Sequence, residues 1–374
     1  MGYLLKIIFV IAIVYTSFFA CSKKGFAPGL PLFFAYVAND AGPGISGYAL
    51  NRDTGVLTTL GNSPFIAGSH PYMIAVDPKG KFAFVVNFNE NTVSAYTVNS
   101  LNGTLTAVSG SPFSTGTHPS TLAVDPMGRF LYVGNNGDDT VSSYLINSDT
   151  GVLTAATGSP FSGTNLPFMI AADPKGRFVY VGNDNNAYGI SAYSSDSAGK
   201  LTLVSGSPFT GGNIIDSIVV DPTGNFVYEG NFTNNTVSAF SINQTTGALT
   251  QISGSPFTVG TSPICVAADP QGRFLYVANQ GGSYGVSGFT INSSTGALTS
   301  ISGSPFSTGS APAWVSVDAT GKFAFVVNFG DETIWTYSIN QTTGALTRLS
   351  SSYSIATGTQ PNSIALAYIK QPQK

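Results

Sequence analysis

The sequence predicts an all-β fold, a seven-bladed β-propeller of four-stranded antiparallel blades. Three observations lead to it: a tripeptide repeated every 48 or 49 residues, short apolar runs separated by turn residues, and no sustained helical period in the mature chain. A spacing of 48 or 49 residues indicates repeated structural units that bury their faces against their neighbours. The tripeptide Ser-Pro-Phe occurs at 63–65, 111–113, 159–161, 207–209, 255–257 and 304–306, with a degenerate seventh copy at 352–354.

The unit from Pro119 to Phe161 shows four short runs, which we label strands A to D in chain order. Asp125 to Gly128 forms the A–B turn, because Asp, Pro and Gly suit the first, second and fourth positions of a type I turn. Four strands repeated radially make a propeller blade. A glycine marks the C–D turn in every repeat, at Gly55, Gly103, Gly151, Gly199, Gly247, Gly296 and Gly344.

The two ends of the chain predict how the ring closes. The first run of the mature chain, residues 33–39, reads as a strand B with no strand A before it. The last run, residues 361–367, reads as a strand A without a blade of its own. It should complete the first blade as the innermost strand, because closure removes two free sheet edges. We therefore expect residues 32–374 to form one propeller domain.

Residues 1–20 predict a signal peptide, since Lys6 precedes a short apolar core. The Ala20-Cys21 pair that follows resembles a bacterial lipobox, so Cys21 is the expected lipidation site and residues 21–31 the tether. Plain secretion and an uncleaved anchor are the alternatives. We expect a location in the bacterial cell envelope, periplasmic or surface-facing, with the lipid as the only membrane contact.

The composition of the chain limits the classes of partner that we expect. Charged residues make up 9% of the chain and the net charge is −3, which argues against nucleic acid. Of the two cysteines, Cys265 has no partner if Cys21 is lipidated, and its strand A position predicts a small buried side chain. We expect a monomer.

The strand B consensus Tyr-Val-x-Asn resembles the YVTN-type propeller repeats, and the longer unit with Asp-Pro-x-Gly and Gly-Ser-Pro-Phe is similar to lactonase-type seven-bladed propellers over residues 32–369. That family includes 6-phosphogluconolactonases and cycloisomerases acting on carboxymuconate. Because these are turn and packing motifs, they predict the fold and leave the reaction open. The consensus stands at residues 36–39, 132–135, 180–183 and 276–279.

One predicted face of the propeller carries acidic residues without any basic ones. In a propeller the D–A and B–C connections surround one mouth of the central channel, and these connections contain no Lys or Arg. Glu229 lies just below this face, where other repeats have Val. A negative mouth would attract cations or cationic groups, although these acids could instead be solvated loop residues that help solubility. The acids on this face are Asp40, Glu90, Asp138, Asp139, Asp184, Asp216, Asp331 and Glu332.

The family resemblance implies Arg around the mouth and His directly after the Pro that opens strand A. The two histidines of this chain, His70 and His118, come just before that Pro instead. They are candidate general bases, with Asp216 or Glu229 as orienting groups, or else loop caps. The positions that match the family histidine are Tyr72, Ser120, Phe168, Asp216, Ile264, Ala313 and Asn362.

Ligand binding is predicted at an aromatic, polar wall near the mouth, suited to an uncharged sugar or a peptide. The residues of this wall are Tyr72, Phe168, Asp216, Trp314 and Asn362. Two adjacent acid pairs, Asp138-Asp139 and Asp331-Glu332, offer hard oxygens for Ca²⁺. No other cofactor is expected.

Two functions stay open. The first is a binding or interaction platform for a small molecule, sugar or protein, neutral or cationic. The alternative is a lactonase-like hydrolase or isomerase, so the sequence leaves open whether the protein is an enzyme. The charge at the mouth discriminates between them, because anionic family substrates need Arg or Lys.

Overall fold

A computed structural model describes residues 32–42, 44–185, 188–212, 214–282, 285–350 and 354–369. Over these ranges the chain forms seven antiparallel sheets in a ring, which confirms the predicted seven-bladed propeller. No helix within them is long and apolar enough to cross a membrane. The predicted signal peptide, the tether and Cys21 lie outside the described residues.

Each blade has four strands in the order A to D from the channel outwards. The A strands are β4 (Pro71–Val76), β9 (Pro119–Val124), β14 (Pro167–Ala172), β18 (Ile215–Val220), β23 (Pro263–Ala268), β28 (Pro312–Val317) and β33 (Pro361–Ile369). The B strands are β1 (Leu32–Asn39), β5 (Phe82–Asn87), β10 (Phe130–Asn135), β15 (Phe178–Asn183), β19 (Phe226–Asn231), β24 (Phe274–Asn279) and β29 (Phe323–Asn328).

The outer half of each blade is made of the C and D strands. The C strands are β2 (Gly44–Leu50), β6 (Thr92–Val98), β11 (Thr140–Ile146), β16 (Ile190–Ser195), β20 (Thr236–Ile242), β25 (Gly285–Ile291) and β30 (Thr333–Ile339). The D strands are β3 (Leu57–Thr59), β7 (Leu105–Ala107), β12 (Leu153–Ala155), β17 (Leu201–Leu203), β21 (Leu249–Gln251), β26 (Leu298–Ser300) and β31 (Leu346–Arg348).

The Ser-Pro-Phe tripeptide fastens the outer edge of a blade to strand C. In the second blade, for example, the Ser111 hydroxyl accepts a hydrogen bond from the Ala95 N–H at 2.9 Å, and Phe113 pairs with Val93. In four blades the Phe of this tripeptide and the next residue form a two-residue strand, and in the seventh blade Ile355 and Ala356 pair with strand C in the same way; the sequence did not predict these strands separately. These are β8 (Phe113–Ser114), β13 (Phe161–Ser162), β22 (Phe257–Thr258), β27 (Phe306–Ser307) and β32 (Ile355–Ala356).

The C-terminal strand closes the ring as predicted. β33 pairs antiparallel with β1, with Tyr36 opposite Ala365, and the first blade has the order β3-β2-β1-β33. The first blade is therefore built from both ends of the propeller domain.

The strand B tyrosine joins neighbouring blades. The Tyr36 hydroxyl donates to the carbonyl of Gly103, in the C–D turn of the next blade, at 2.6 Å, and Tyr228 reaches Gly296 in the same way at 2.9 Å. A side chain at Gly103 would meet the ring of Phe34 at 2.4 Å, so this turn needs glycine. The motifs that carry the family resemblance thus hold blades together.

Basic residues on the A–B turns are engaged with local partners. Arg273 pairs with the buried Asp269 at 2.9 Å and lies over the Phe274 ring at 4.8 Å. The same arrangement recurs at Arg129 and Arg177. This side of the ring, which we call the turn face, is opposite the D–A and B–C connections, which we call the loop face.

Candidate functional site

A cavity of about 220 Å³ opens at the channel mouth on the loop face. The second residue of each of the seven A strands lines it, so every blade contributes one wall position. Five lining residues are those predicted to bind ligand, and ligand binding itself stays a prediction. The cavity is lined by Tyr72, Met73, Ser120, Phe168, Met169, Asp216, Ile264, Gln280, Ala313, Trp314, Phe329, Asn362 and Ser363.

Asp216 is the one carboxylate that lines this cavity. Its side chain belongs to β18 and is only 7% exposed. Among the residues that the structure describes, none donates a hydrogen bond to it or forms an ion pair with it. Burial, together with the negative charge of Asp184, raises the pKa of Asp216 to about 7. The carboxyl group can therefore exchange a proton near neutral pH.

Tyr72 keeps its phenolic proton throughout the physiological range. Burial raises its pKa to about 12, and the carboxylates of Asp40, Asp216 and Asp184 add to the effect. Burial also raises the pKa of Asp184, which is partly exposed. The Tyr72 hydroxyl is therefore a neutral hydrogen-bond donor in a negatively charged neighbourhood.

Aromatic rings make up much of the cavity wall and its rim. The ring of Tyr72 packs edge to face on that of Phe168, with the ring centroids 6.2 Å apart. The centroid of the Phe88 ring lies 5.9 Å from that of Tyr72. Trp314 and Phe329 come from the seventh blade and line the cavity beside them. The wall therefore offers aromatic surface to a small ligand.

Sequence reasoning did not single out a second set of loop-face residues, the first residue after each strand B asparagine, although it counted Asp40 and Asp184 among the acids of this face. In each blade its N–H donates to the carbonyl of the residue preceding strand A, as from Phe88 to His70 at 2.9 Å and from Gln280 to Ser262 at 2.9 Å. The sequence signal for this set is its fixed position after the strand B asparagine, which becomes informative once these loop hydrogen bonds are known. The set comprises Asp40, Phe88, Asn136, Asp184, Phe232, Gln280 and Phe329.

The two histidines lie outside the cavity lining. The His70 Nδ1 is 3.0 Å from the Asp40 carboxylate, and the ring of His118 stacks on Phe88 with centroids 4.8 Å apart. Both residues have positive φ, at 52° and 49°. The structure therefore does not bring either imidazole together with Asp216 in the cavity, and gives both a position at the rim.

Glu229 is fully buried and also lies outside the cavity lining. One carboxyl oxygen accepts the Gly212 N–H, and the other has no hydrogen-bond partner. In the second blade the equivalent N–H, from Gly68, goes to the Oδ1 of Asn87 at 3.1 Å. In the fifth blade Asn231 Oδ1 is left unpaired instead. Glu229 is therefore an anchor for the D–A loop that leads to Asp216.

Replacing Glu229 by Val, the residue of the other blades, should stabilise the protein, and more at pH 8 than at pH 5. Burial raises the pKa of Glu229 to about 7. Because the pKa of Glu229 is higher in the folded than in the unfolded protein, folding is favoured at pH values below the unfolded-state pKa, where the group is protonated in both states. This stabilisation is lost as the pH rises through 7. At pH 8 the ionised Glu229 carboxylate lowers the free energy of unfolding by on the order of 3 kcal/mol. In the variant, Asn231 can accept the Gly212 N–H.

Thermal unfolding of both proteins at pH 5 and pH 8 measures this effect. Glu229→Gln is the matched control, since it removes the charge and keeps an acceptor for Gly212. An equal gain in melting temperature at both pH values would show that ionisation of Glu229 is not the cause.

Three of the four acids considered for Ca²⁺ accept hydrogen bonds from loop N–H groups. Asp138 accepts the Thr117 N–H within its own blade, while Asp139 accepts the Leu166 N–H of the next blade at 2.6 Å. Asp331 binds the Ser310 N–H at 2.6 Å. Over the described ranges, no group of three or more His, Cys, Asp or Glu is placed to hold a metal ion. Ca²⁺ binding therefore gains no geometric support from these pairs.

Comparison with known proteins identifies the family. The family model described as lactonase, seven-bladed β-propeller, matches the chain in overlapping segments at residues 32–164, 103–214, 156–254 and 240–365. These segments span almost the whole propeller, so the chain belongs to this lactonase family, as its motifs suggested. No curated protein in the comparison matches the chain.

Solved structures share the fold at low sequence identity. A putative 6-phosphogluconolactonase from Bacteroides uniformis aligns with a TM-score of 0.75 and 21% identity, over 90% of this chain and 99% of its own. The periplasmic gluconolactonase PpgL of Pseudomonas aeruginosa aligns with a TM-score of 0.73 and 18% identity, over 91% and 100%. At such identities the likeness shows the fold, and function has to come from the site.

Proposed function

We propose that this protein is a lactonase-type hydrolase for a small lactone without negative charge, with Asp216 as the general base. The observation that carries the proposal is the buried, unpaired Asp216 carboxyl in an aromatic cavity at the channel mouth. Its pKa of about 7 suits proton transfer at neutral pH. Membership of the lactonase family supports the reaction class.

The reaction adds one water to the ester of the ring. The Asp216 carboxylate takes a proton from water as its oxygen attacks the lactone carbonyl, and the Asp216 carboxyl then returns that proton to the ring oxygen as the acyl C–O bond breaks. The Tyr72 hydroxyl and the Gln280 and Asn362 amides are neutral donors in the same cavity for the developing oxyanion. The product is a hydroxy acid, which loses its carboxyl proton to solvent, and the resulting carboxylate is repelled by Asp184 and Asp216.

Charge and size limit the substrate. The D–A and B–C connections contain no Lys or Arg, so no cation compensates a phosphate or a second carboxylate at the mouth. A volume of about 220 Å³ is below the usual range for sites of drug-sized ligands, which starts near ~300 Å³. An uncharged lactone of monosaccharide size or smaller meets both conditions.

A binding platform is the second candidate function, favoured by one observation. Neither His70 nor His118 lines the cavity, so catalysis rests on a single carboxyl group. The same aromatic wall could hold an uncharged sugar without reacting with it. Binding of glucose, an uncharged sugar, measured by calorimetry without lactone turnover would support this function over the hydrolase.

A lactone panel tests the proposed reaction. We expect glucono-δ-lactone and γ-butyrolactone to be hydrolysed with kcat/KM on the order of 10⁴ M⁻¹s⁻¹ for the better of the two. 6-Phosphogluconolactone should react at least tenfold more slowly at low ionic strength, with the gap narrowing as salt screens the repulsion. Faster hydrolysis of the phosphorylated lactone at low salt would contradict the proposal.

We also propose that the protein resides in the cell envelope, anchored by a lipid on Cys21. The short apolar segment before Cys21 supports this, and one structural neighbour is a periplasmic protein. Mass spectrometry of the mature N-terminus should find a lipidated Cys21 in the membrane fraction. A free amine on a different first residue would contradict the anchor.

A further inference from the structure

The cavity combines aromatic faces with an uncompensated negative charge. Tyr72, Phe168, Trp314 and Phe329 line it together with Asp216. The faces of aromatic rings attract cations, and rings that surround a quaternary ammonium group are a recurrent means of binding it. We propose that the cavity is a binding site for an alkylammonium group, held beside the Asp216 carboxylate and against these rings. This property goes beyond the proposed hydrolysis and does not depend on it.

Asp216 supplies the negative partner for such a cation. It is 7% exposed and lines the cavity, and within the described part of the chain it has no hydrogen-bond or ion-pair partner. A buried carboxylate without a partner is costly, so a ligand that brings a positive charge relieves that cost. Asp184 adds negative charge near Asp216, whereas Asp40 is paired with His70 at 3.0 Å.

The lining favours an alkylammonium ion over other cations. A calcium ion takes about six to eight oxygen ligands, and this cavity offers one carboxylate among mainly apolar side chains. A primary ammonium is a compact and strongly hydrated charge, which loses that water on entering an apolar site. A quaternary ammonium is sheathed in methyl groups that pack on rings, while its charge still reaches Asp216.

This placement has a consequence for the proposed reaction. A cation beside Asp216 occupies the position of the water that the carboxylate would activate. Alkylammonium ions should therefore inhibit lactone hydrolysis competitively. Binding itself is measurable whether or not the protein turns over a lactone, so the two proposals can fail separately.

Choline and its neutral isostere 3,3-dimethylbutan-1-ol form a matched pair of probes. Calorimetry at pH 8 and low salt should show choline binding at least tenfold more tightly than the isostere. The Trp314 ring lines the cavity, so its fluorescence gives a second readout, best in a Trp335→Phe background because Trp335 lies against Arg348 in β31. Choline affinity should rise from pH 5 to pH 8, since its charge is constant and Asp216 becomes ionised.

Asp216→Asn should abolish the preference for choline, and Asp149→Asn, the same charge change in an exposed C–D turn, should preserve it. Circular dichroism checks that both variants are folded. Equal affinity of the wild-type protein for the two probes, or an unchanged preference in Asp216→Asn, would overturn the inference. Choline binding without lactone turnover would support it while contradicting the proposed hydrolase.

Discussion

Deleting residues 361–374 should abolish cooperative folding of the propeller. The deletion removes β33, the strand of the first blade that pairs with β1 on the channel side. It also removes the buried side chains of Ile364, Ala367 and Ile369 from the blade interfaces. Each isoleucine contributes about 2 kcal/mol by burial, and the strand pairing adds to this. The sum approaches the whole stability of an ordinary domain, ~5–15 kcal/mol.

The loss extends beyond the first blade. The Ser363 hydroxyl accepts the Ile74 N–H of the second blade at 3.1 Å, so β33 also joins two blades. Without it β1 presents an unpaired edge, which favours aggregation. Deletion of residues 370–374 alone is the control, because it leaves β33 in place. A truncated protein without residues 361–374 that melts cooperatively at the temperature of the intact protein would refute ring closure by β33.

The fold was predictable because its determinants are local and repeated. Asp-Pro-x-Gly turns and Ser-Pro-Phe edges recur at a fixed spacing, so each unit can be recognised without its neighbours. The strand B without a strand A at the start of the mature chain and the extra strand A at the end then predict how the ring closes. The two-residue strands such as β8 were not predicted, because they depend on how Ser-Pro-Phe folds back onto strand C.

The wall of the cavity was predictable in part for the same reason. The second residue of strand A lies near the channel mouth in a propeller, so the repeat alignment placed Tyr72, Phe168 and Asp216 near one another, although the strand of Asp216 begins with Ile215 instead of Pro. Phe329 and Gln280 were missed because a B–C connection has no pattern that says which of its residues turns inward. Their constant position after the strand B asparagine becomes informative once the loop hydrogen bonds are known.

The chemistry of the site could not be read from the sequence, because it depends on contacts between different blades. The raised pKa of Asp216 comes from its burial and from Asp184, a residue of the preceding blade. Glu229 and Asp216 look equivalent as acids near the loop face. Their packing distinguishes them: Glu229 is fully buried and anchors a loop, whereas Asp216 lines the cavity.

Replacing Asp216 by Asn should reduce kcat for a neutral lactone about 100-fold to 10,000-fold, the range expected for losing a general base. The amide has nearly the same shape but cannot take a proton from water. Wild-type activity, corrected for spontaneous hydrolysis, should rise with pH through about 7, because the base works only when ionised. The variant should lose this dependence.

Asp184→Asn tests whether the pH dependence of the activity comes from Asp216. The Asp184 charge helps to raise the pKa of Asp216, so removing it should shift the midpoint of the pH–rate profile to lower pH without a comparable loss of kcat. A general loosening of the site would instead lower kcat and leave the midpoint unchanged. Full activity of Asp216→Asn, or an unchanged pH–rate profile in that variant, would exclude Asp216 as the base, whereas a midpoint that stays in place in Asp184→Asn would show that burial alone raises the pKa of Asp216.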